Sequence, residues 1–341
     1  MKVTPGLIRK FLDEAVVGQE DVKDTLSICA YNQFLKYFCS KKPEWSQSPL
    51  PKNNLLITGP SGTGKTHSVA ETAFYTGFPF LTIDAMSLVP VGYSGIDYID
   101  QFKQWQITPS QVEMLPYAII FIDEFDKITT AGHEHQLAAW YKQIQRGLLR
   151  LLEGTQIKVG CAYDAKKFYE VNTKDMLFVM AGAFVDHTFR QTKDVGIGFK
   201  SDYTSKSVNH STVNHTELEE LGIITELTGR INVVTHTTAL TKSNIKSILV
   251  DTYNNLISQY DSMFVLGGLK IEDALTEDDI DDIVEQAYNS NFGARYLKNI
   301  LFEHLKKAMF ALGANVEYNM EDEEEESPDN NPLNLNTSEI L

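Results

Sequence analysis

The sequence predicts an α/β fold in which a parallel sheet flanked by helices precedes a smaller, mostly helical region. The first observation is the run LLITGPSGTGKT at 55–66, where an apolar, strand-like segment enters a glycine-rich turn. The second is YAIIFIDEFDKI at 117–128, whose unbroken apolar run is typical of a parallel strand covered on both faces. The third is the helical spacing of apolar residues after position 240.

The glycine-rich turn predicts a phosphate-binding loop. Residues 59–66 fit the pattern G-x-x-x-x-G-K-[ST]. Glycines let backbone N–H groups converge on phosphate oxygens, and the helix that follows directs its positive dipole end at the same point. The residues expected to hold ATP are Gly59, Pro60, Ser61, Gly62, Thr63, Gly64, Lys65 and Thr66, with His67 directly after them.

Adjacent carboxylates follow the second apolar run. Asp123 ends the expected strand, where it is positioned to hold Mg²⁺ together with the Thr66 hydroxyl. Glu124 is then positioned to orient and deprotonate the attacking water, a base that repeated hydrolysis requires. Lys65 is expected to reach the β and γ phosphates. Together these residues predict an ATPase.

Composition narrows the class of protein. The 341 residues carry a net charge of −16, and the segment after 308 contains nine acidic residues and no Lys or Arg. This acidic balance disfavours a nucleic-acid partner, since phosphate contacts need clustered cations. The three cysteines never occur as C-x-x-C, which indicates neither a disulfide framework nor a zinc site. No run approaches the roughly 18 apolar residues of a membrane span, so we expect a cytoplasmic protein.

The sequence predicts two domains and a tail: an ATPase domain at 1–236, a small domain at 237–316 and a disordered acidic tail at 317–341. In the small domain, helices are expected at 241–260, 276–288 and 294–312. A brief strand is expected at 268–272.

Further motifs make the chain resemble the ClpX family of AAA+ unfoldases from about residue 4 to about residue 312. VVGQ at 16–19 is similar to the family's adenine-side motif, and GYSG at 92–95 is similar to its pore loop. LLRLLEGT at 148–155 and LFVMAGAF at 177–184 match family segments. Gly229–Arg230 fit the arginine-finger motif, and Gly293-Ala294-Arg295 fit the sensor-2 motif.

The resemblance implies a homohexameric ring with ATP at the subunit interfaces. It implies that Val17 lies beside the adenine, that Arg230 reaches the neighbouring subunit's γ-phosphate and that Arg295 acts on the nucleotide of its own subunit. Tyr93 would grip protein substrates in the pore. The tripeptide Ile197-Gly198-Phe199 in the loop KDVGIGFKSDYTSKS would dock a ClpP-type peptidase. A hinge near 234–240 would couple hydrolysis to movement.

The chain also departs from the family pattern. The resemblance does not extend to the zinc-binding domain that opens ClpX chains, which we expect to be missing, so ATP and Mg²⁺ are expected without zinc. Ala181 and Gly182 stand where many AAA+ relatives have a polar sensor, and no sensor-1 residue is assigned. A stand-alone remodelling chaperone, a nucleic-acid motor and an HslU-type partner of another peptidase remain alternatives. The loop at 197–199 and the acidic balance disfavour the last two.

Overall fold

A computed structural model describes residues 3–42, 44, 50–90, 97–184, 215–252, 255–290 and 293–312. The strands in these ranges are β1 (Asn54–Thr58), β2 (Phe80–Asp84), β3 (Gln106–Ile107), β4 (Ile119–Asp123), β5 (Gln156–Cys161), β6 (Asp164–Asn172), β7 (Leu177–Gly182) and β8 (Val233–His236). The helices are α1 (Pro5–Ala15), α2 (Glu20–Ser40), α3 (Lys65–Thr76), α4 (Tyr98–Gln104), α5 (His135–Glu153), α6 (His215–Glu220), α7 (Thr225–Thr228), α8 (Lys242–Val250), α9 (Leu256–Leu266), α10 (Glu277–Asn289) and α11 (Leu297–Leu312).

The main sheet is five-stranded and parallel, in the order β2-β4-β7-β1-β8. All residues of β1 and β7 are buried, as their continuous apolar sequences predicted. Because the strands are parallel, the residues that follow β1, β4 and β7 meet at one edge of the sheet, where ligands bind in open α/β folds. A smaller sheet pairs β3 with β5 and β5 with β6.

Each face of the main sheet contributes to a separate core. Successive strand residues point to opposite faces, so Leu56 packs in the cluster that includes Leu148 of α5, whereas Leu55 packs in the cluster that includes Leu12 of α1 and Val69 of α3. Helices therefore cover both faces. The predicted α/β class, with a helical region after it, is confirmed.

The helical region after β8 has a core of its own, made by residues between 245 and 312. Capping boxes start two of its helices: Thr241 with Asn244 opens α8, and Thr276 with Asp279 opens α10. The helix predicted at 276–288 is confirmed as α10. The domain boundaries stay predictions, and the acidic tail at 317–341 lies outside the described residues.

Two elements predicted for this region are wrong. The single helix expected at 241–260 is two helices, because the Asn255 side chain accepts the Ser258 N–H and starts α9 anew. The strand expected at 268–272 is absent from the described residues. Gly268 has a φ of 73°, and Ile271, which is 5% exposed, opens a short 3₁₀ turn that packs into the helical core.

Candidate nucleotide-binding site

The glycine-rich loop joins β1 to α3, and its glycines are required by geometry. Gly64 precedes the first turn of α3 with a φ of 90°, and a Cβ added there would meet no atom within 4 Å. Gly64 therefore faces open space. Gly59 is the opposite case: a Cβ there would lie 2.2 Å from Thr237 Oγ1, so only glycine fits against the segment that follows β8.

The Lys65 ammonium lies within this loop. Its Nζ donates to Gly59 O at 2.6 Å and to Pro60 O at 2.8 Å. Burial is the main cause that lowers the pKa of Lys65; the carboxylates of Asp123 and Asp126 oppose the shift, and the charge of Arg295 adds to it. A buried ammonium with few competing partners is suited to binding an anionic phosphate.

Thr66 and Asp123 come together at the ends of α3 and β4. Thr66 Oγ1 donates to Asp123 Oδ2 at 3.0 Å, as expected for two oxygen ligands of one Mg²⁺ ion. The other carboxylate oxygen of Asp123 accepts the Glu124 N–H at 2.9 Å. Glu124 has a φ of 54°, a left-handed conformation that is uncommon for a residue other than glycine and is concentrated at functional sites.

A cavity of about 660 Å³ extends from this loop to the helical region, a volume in the range of small-molecule sites. It joins distant parts of the chain. The predicted residues that line it are Val17, Ser61, Gly62, Thr63, Gly64, Lys65, Thr66, His67, Asp123, Glu124 and Arg295. Gly59 and Pro60 do not line it; they supply the carbonyls that hold Lys65.

Arg295 reaches the cavity because its turn rests on the phosphate loop. Gly293 has a φ of 56°, and a Cβ there would lie 3.2 Å from Gly62 O. This contact brings the start of the last helical segment against the loop. Arg295 and Lys65 of one chain therefore line the same cavity, and the action of Arg295 on the nucleotide stays a prediction.

Arg230 lies apart from the cavity. It lines a separate depression with Lys52, where its Nη2 and Nε donate to Glu153 Oε1 at 2.8 and 3.2 Å. Asn54 Nδ2 donates to the Arg230 carbonyl at 2.8 Å and so fixes the backbone there. The Arg230 side chain is 52% exposed. The guanidinium therefore faces outward rather than toward the nucleotide cavity of its own chain.

Sequence reasoning missed several residues that line the cavity. Asp126 and Lys127 follow the paired carboxylates directly, and their proximity in sequence could have indicated them. Lys298 lies three residues after Arg295, one helical turn away. The apolar residues that the helical region contributes carry no motif: Leu240, Ile248 and Leu256.

The other predicted contact residues, Tyr93 and 197–199, lie outside the described residues. In the part of the chain that the structure describes, no cluster of three or more His, Cys, Asp or Glu side chains has the arrangement of a metal site. No helix among the same residues combines the length and apolar character of a membrane span.

The parallel sheet, the phosphate loop after β1 and the Asp-Glu pair at the end of β4 define a P-loop ATPase of the AAA class. A family model described as "AAA domain (Cdc48 subfamily)" matches residues 50–234.

Relatives named "ATP-dependent Clp protease ATP-binding subunit ClpX" match most of the chain. That of Borrelia duttonii is 34% identical over 91% of this chain and 74% of its own length. That of Azotobacter vinelandii is 32% identical over 90% of this chain and 74% of its own length. That of Porphyromonas gingivalis is 29% identical over 90% and 77%. The chain belongs to the ClpX family.

Proposed function

We propose that this protein is an ATP-driven unfoldase and translocase, which acts as a ring homohexamer and passes protein substrates to a ClpP-type peptidase. The observation that carries the proposal is that the predicted catalytic residues do not all line the same cavity. Lys65, Thr66, Asp123 and Glu124 surround one cavity, whereas Arg230 lies outside it and faces outward.

The chemistry at the cavity is hydrolysis of ATP. Lys65 would bind the β and γ phosphates, and Thr66 and Asp123 would hold a Mg²⁺ ion, which would neutralise developing charge. Glu124 would accept the proton of the attacking water, whereas its neighbour Asp123 would be a ligand of the metal. Val17 and His67, which both line the cavity, would contact the nucleotide.

Arg230 acts on a neighbouring subunit. A guanidinium that donates to Glu153 and faces outward has no path to its own phosphate loop, which supports action in trans. An arginine supplied in this way is worth about 10³–10⁵ in rate, or roughly 4–7 kcal/mol of activation free energy. Hydrolysis therefore depends on assembly.

Arg295 couples the nucleotide to the helical region, because it comes from that region and lines the same cavity as Lys65. Hydrolysis changes the angle between the ATPase domain and the small helical domain, and this change moves Tyr93 along the ring axis. The tripeptide 197–199 docks the peptidase. One buried Ile and one buried Phe contribute roughly 1.5–3 kcal/mol each, so several loops must engage together. The domain boundaries and the cytoplasmic location belong to the same proposal.

The decisive experiment offers a tagged, folded fluorescent protein with ATP, with and without ClpP, and compares the unmutated chain with Glu124→Gln. We expect fluorescence loss only with intact Glu124, and degradation only when ClpP is present. A protein that stays monomeric and hydrolyses no ATP would refute the proposal.

A second comparison tests peptidase coupling. Capture on immobilised ClpP should be abolished by Ile197→Ala combined with Phe199→Ala, while ATP hydrolysis persists. Failure of the unmutated protein to bind ClpP, with unfolding retained, would instead establish a stand-alone remodelling chaperone.

A further inference from the structure

The segment that follows β8 is hydrogen-bonded to the phosphate loop and to the end of β1. Thr237 N donates to Thr58 O at the end of β1 at 2.8 Å. The hydroxyls of Thr63 and Thr237 are 2.7 Å apart, and both residues are buried. The first residue after β8 is therefore held by the same loop that carries Lys65.

The side chain of Gln19 hydrogen-bonds to the backbone of the next residue, Thr238. Its Nε2 donates to Thr238 O at 2.8 Å, and its Oε1 accepts the Thr238 N–H at 2.8 Å, across 219 positions of sequence. The side-chain amide thus satisfies both polar groups of one backbone residue. Gln19 is 4% exposed and has a φ of 59°, a left-handed conformation that the surrounding contacts must enforce.

The segment that carries Gln19 also contacts the cavity and the helical region. Val17, two residues earlier, lines the cavity. A Cβ added at Gly18 would lie 3.8 Å from the side-chain amide of Asn244, in the first turn of α8. Leu240, two residues after the tethered Thr238, lines the cavity as well. Both ends of the Gln19–Thr238 link are therefore connected to the cavity wall.

We propose that Gln19 is a positioning residue that ties the exit of β8 to the cavity wall, so that relative motion of the helical region is confined to residues 239–240. This inference rests on the proposed function in one respect, since it takes the cavity as the nucleotide site. The next anchored residue is Thr241, which caps α8. Residues 239–240 then act as a pivot between Thr238 and Thr241. A small change at the cavity would rotate the helices from α8 onward about this pivot.

The test compares Gln19→Ala with Gln33→Ala, a matched control. Gln33 is also buried, at 2% exposure, and its Nε2 donates to two backbone carbonyls, Tyr117 O at 3.1 Å and Asp175 O at 2.8 Å. Both variants lose two short, partly buried hydrogen bonds to the backbone and should lose similar thermal stability. Only Gln19→Ala should weaken binding of a fluorescent ADP, by roughly 10-fold, because two net hydrogen bonds favour the binding-competent arrangement.

Hydrogen exchange at the Thr238 N–H provides a second readout, and the unmutated chain already tests it. Thr238 is exposed, so protection of its N–H must come from the bond to Gln19 Oε1. We expect slow exchange in the unmutated chain and in Gln33→Ala, fast exchange in Gln19→Ala and intermediate exchange in Gln19→Glu, which keeps the acceptor but not the donor.

Two results would overturn the inference: an unprotected Thr238 N–H in the unmutated chain, or equal ADP affinity of the two alanine variants. Failure of the proposed function looks different, because the unmutated chain would then bind ADP no better than Lys65→Ala. The Thr238 exchange rate, measured without nucleotide, would still decide whether the tether exists.

Discussion

The two glycines at the ends of α3 allow a sharp test of the phosphate site. Gly64 precedes the helix with a φ of 90°, and Gly77 follows it with a φ of 71°. A Cβ added at either residue would meet no protein atom within 4 Å. Gly64→Ala and Gly77→Ala therefore impose similar backbone strain without a steric clash, but only the first adds a methyl group in the phosphate cradle.

The stability cost should be small and alike for both variants. A left-handed conformation costs a residue with a Cβ about 1–2 kcal/mol, and each kcal/mol lowers the melting temperature of a domain of this size by about 2–4 °C. The effect on binding should differ. Losing two charge-assisted hydrogen bonds from backbone N–H groups to phosphate costs roughly 3–6 kcal/mol, so Gly64→Ala should bind nucleotide at least about 100-fold more weakly.

The assay combines a thermal scan with a titration of fluorescent ADP. We expect matched melting temperatures, unchanged affinity for Gly77→Ala and a loss of affinity for Gly64→Ala. Unmutated affinity in Gly64→Ala would refute the assignment of the loop, and so would an equal loss in both variants.

Three further predictions concern single side chains. Glu124→Gln should keep nucleotide affinity and lose ATP turnover in a phosphate-release assay; turnover near the unmutated rate would exclude Glu124 as the base. Glu153→Gln should change the free energy of unfolding by less than about 1 kcal/mol, since its pair with Arg230 is half-exposed. Glu153→Gln should lower the ATP turnover of the assembled ring without altering nucleotide affinity, because Glu153 accepts both hydrogen bonds that orient the Arg230 guanidinium. Glu170→Gln, which disrupts another exposed ion pair, should change neither turnover nor affinity. Burial lowers the pKa of Lys52 from 10.5 to about 8. The unfolded chain then binds more protons between these values, so the stability of the unmutated chain should rise from pH 8 toward 10.5 relative to Lys52→Met. Parallel pH profiles from chemical denaturation would contradict this.

The phosphate site could be predicted from sequence because its parts are local. The convergence of N–H groups depends on a few consecutive glycines, and the dipole of the next helix follows from its position. The strand ending at Asp123 was recognisable from its unbroken apolar run, since a strand buried on both faces has no polar side. These features depend on neighbours along the chain.

Local patterns also misled where packing or capping overruled them. The expected helix at 241–260 breaks because the Asn255 side chain captures a backbone N–H and begins a second helix. The expected strand at 268–272 becomes a turn, since Ile271 packs among helices that offer it no strand partner within the described residues. Periodicity alone does not encode such competition.

By itself the sequence determined the phosphate loop, the paired carboxylates, the class of fold and the family resemblance. Only the tertiary structure decided that Leu240 lines the cavity, that Glu153 accepts the hydrogen bonds of Arg230, and that Gln19 holds Thr238. The physical reason is the separation along the sequence of the residues that interact. A loop that binds phosphate is specified by adjacent residues, whereas a hydrogen bond across 219 positions exists only after the whole chain has folded.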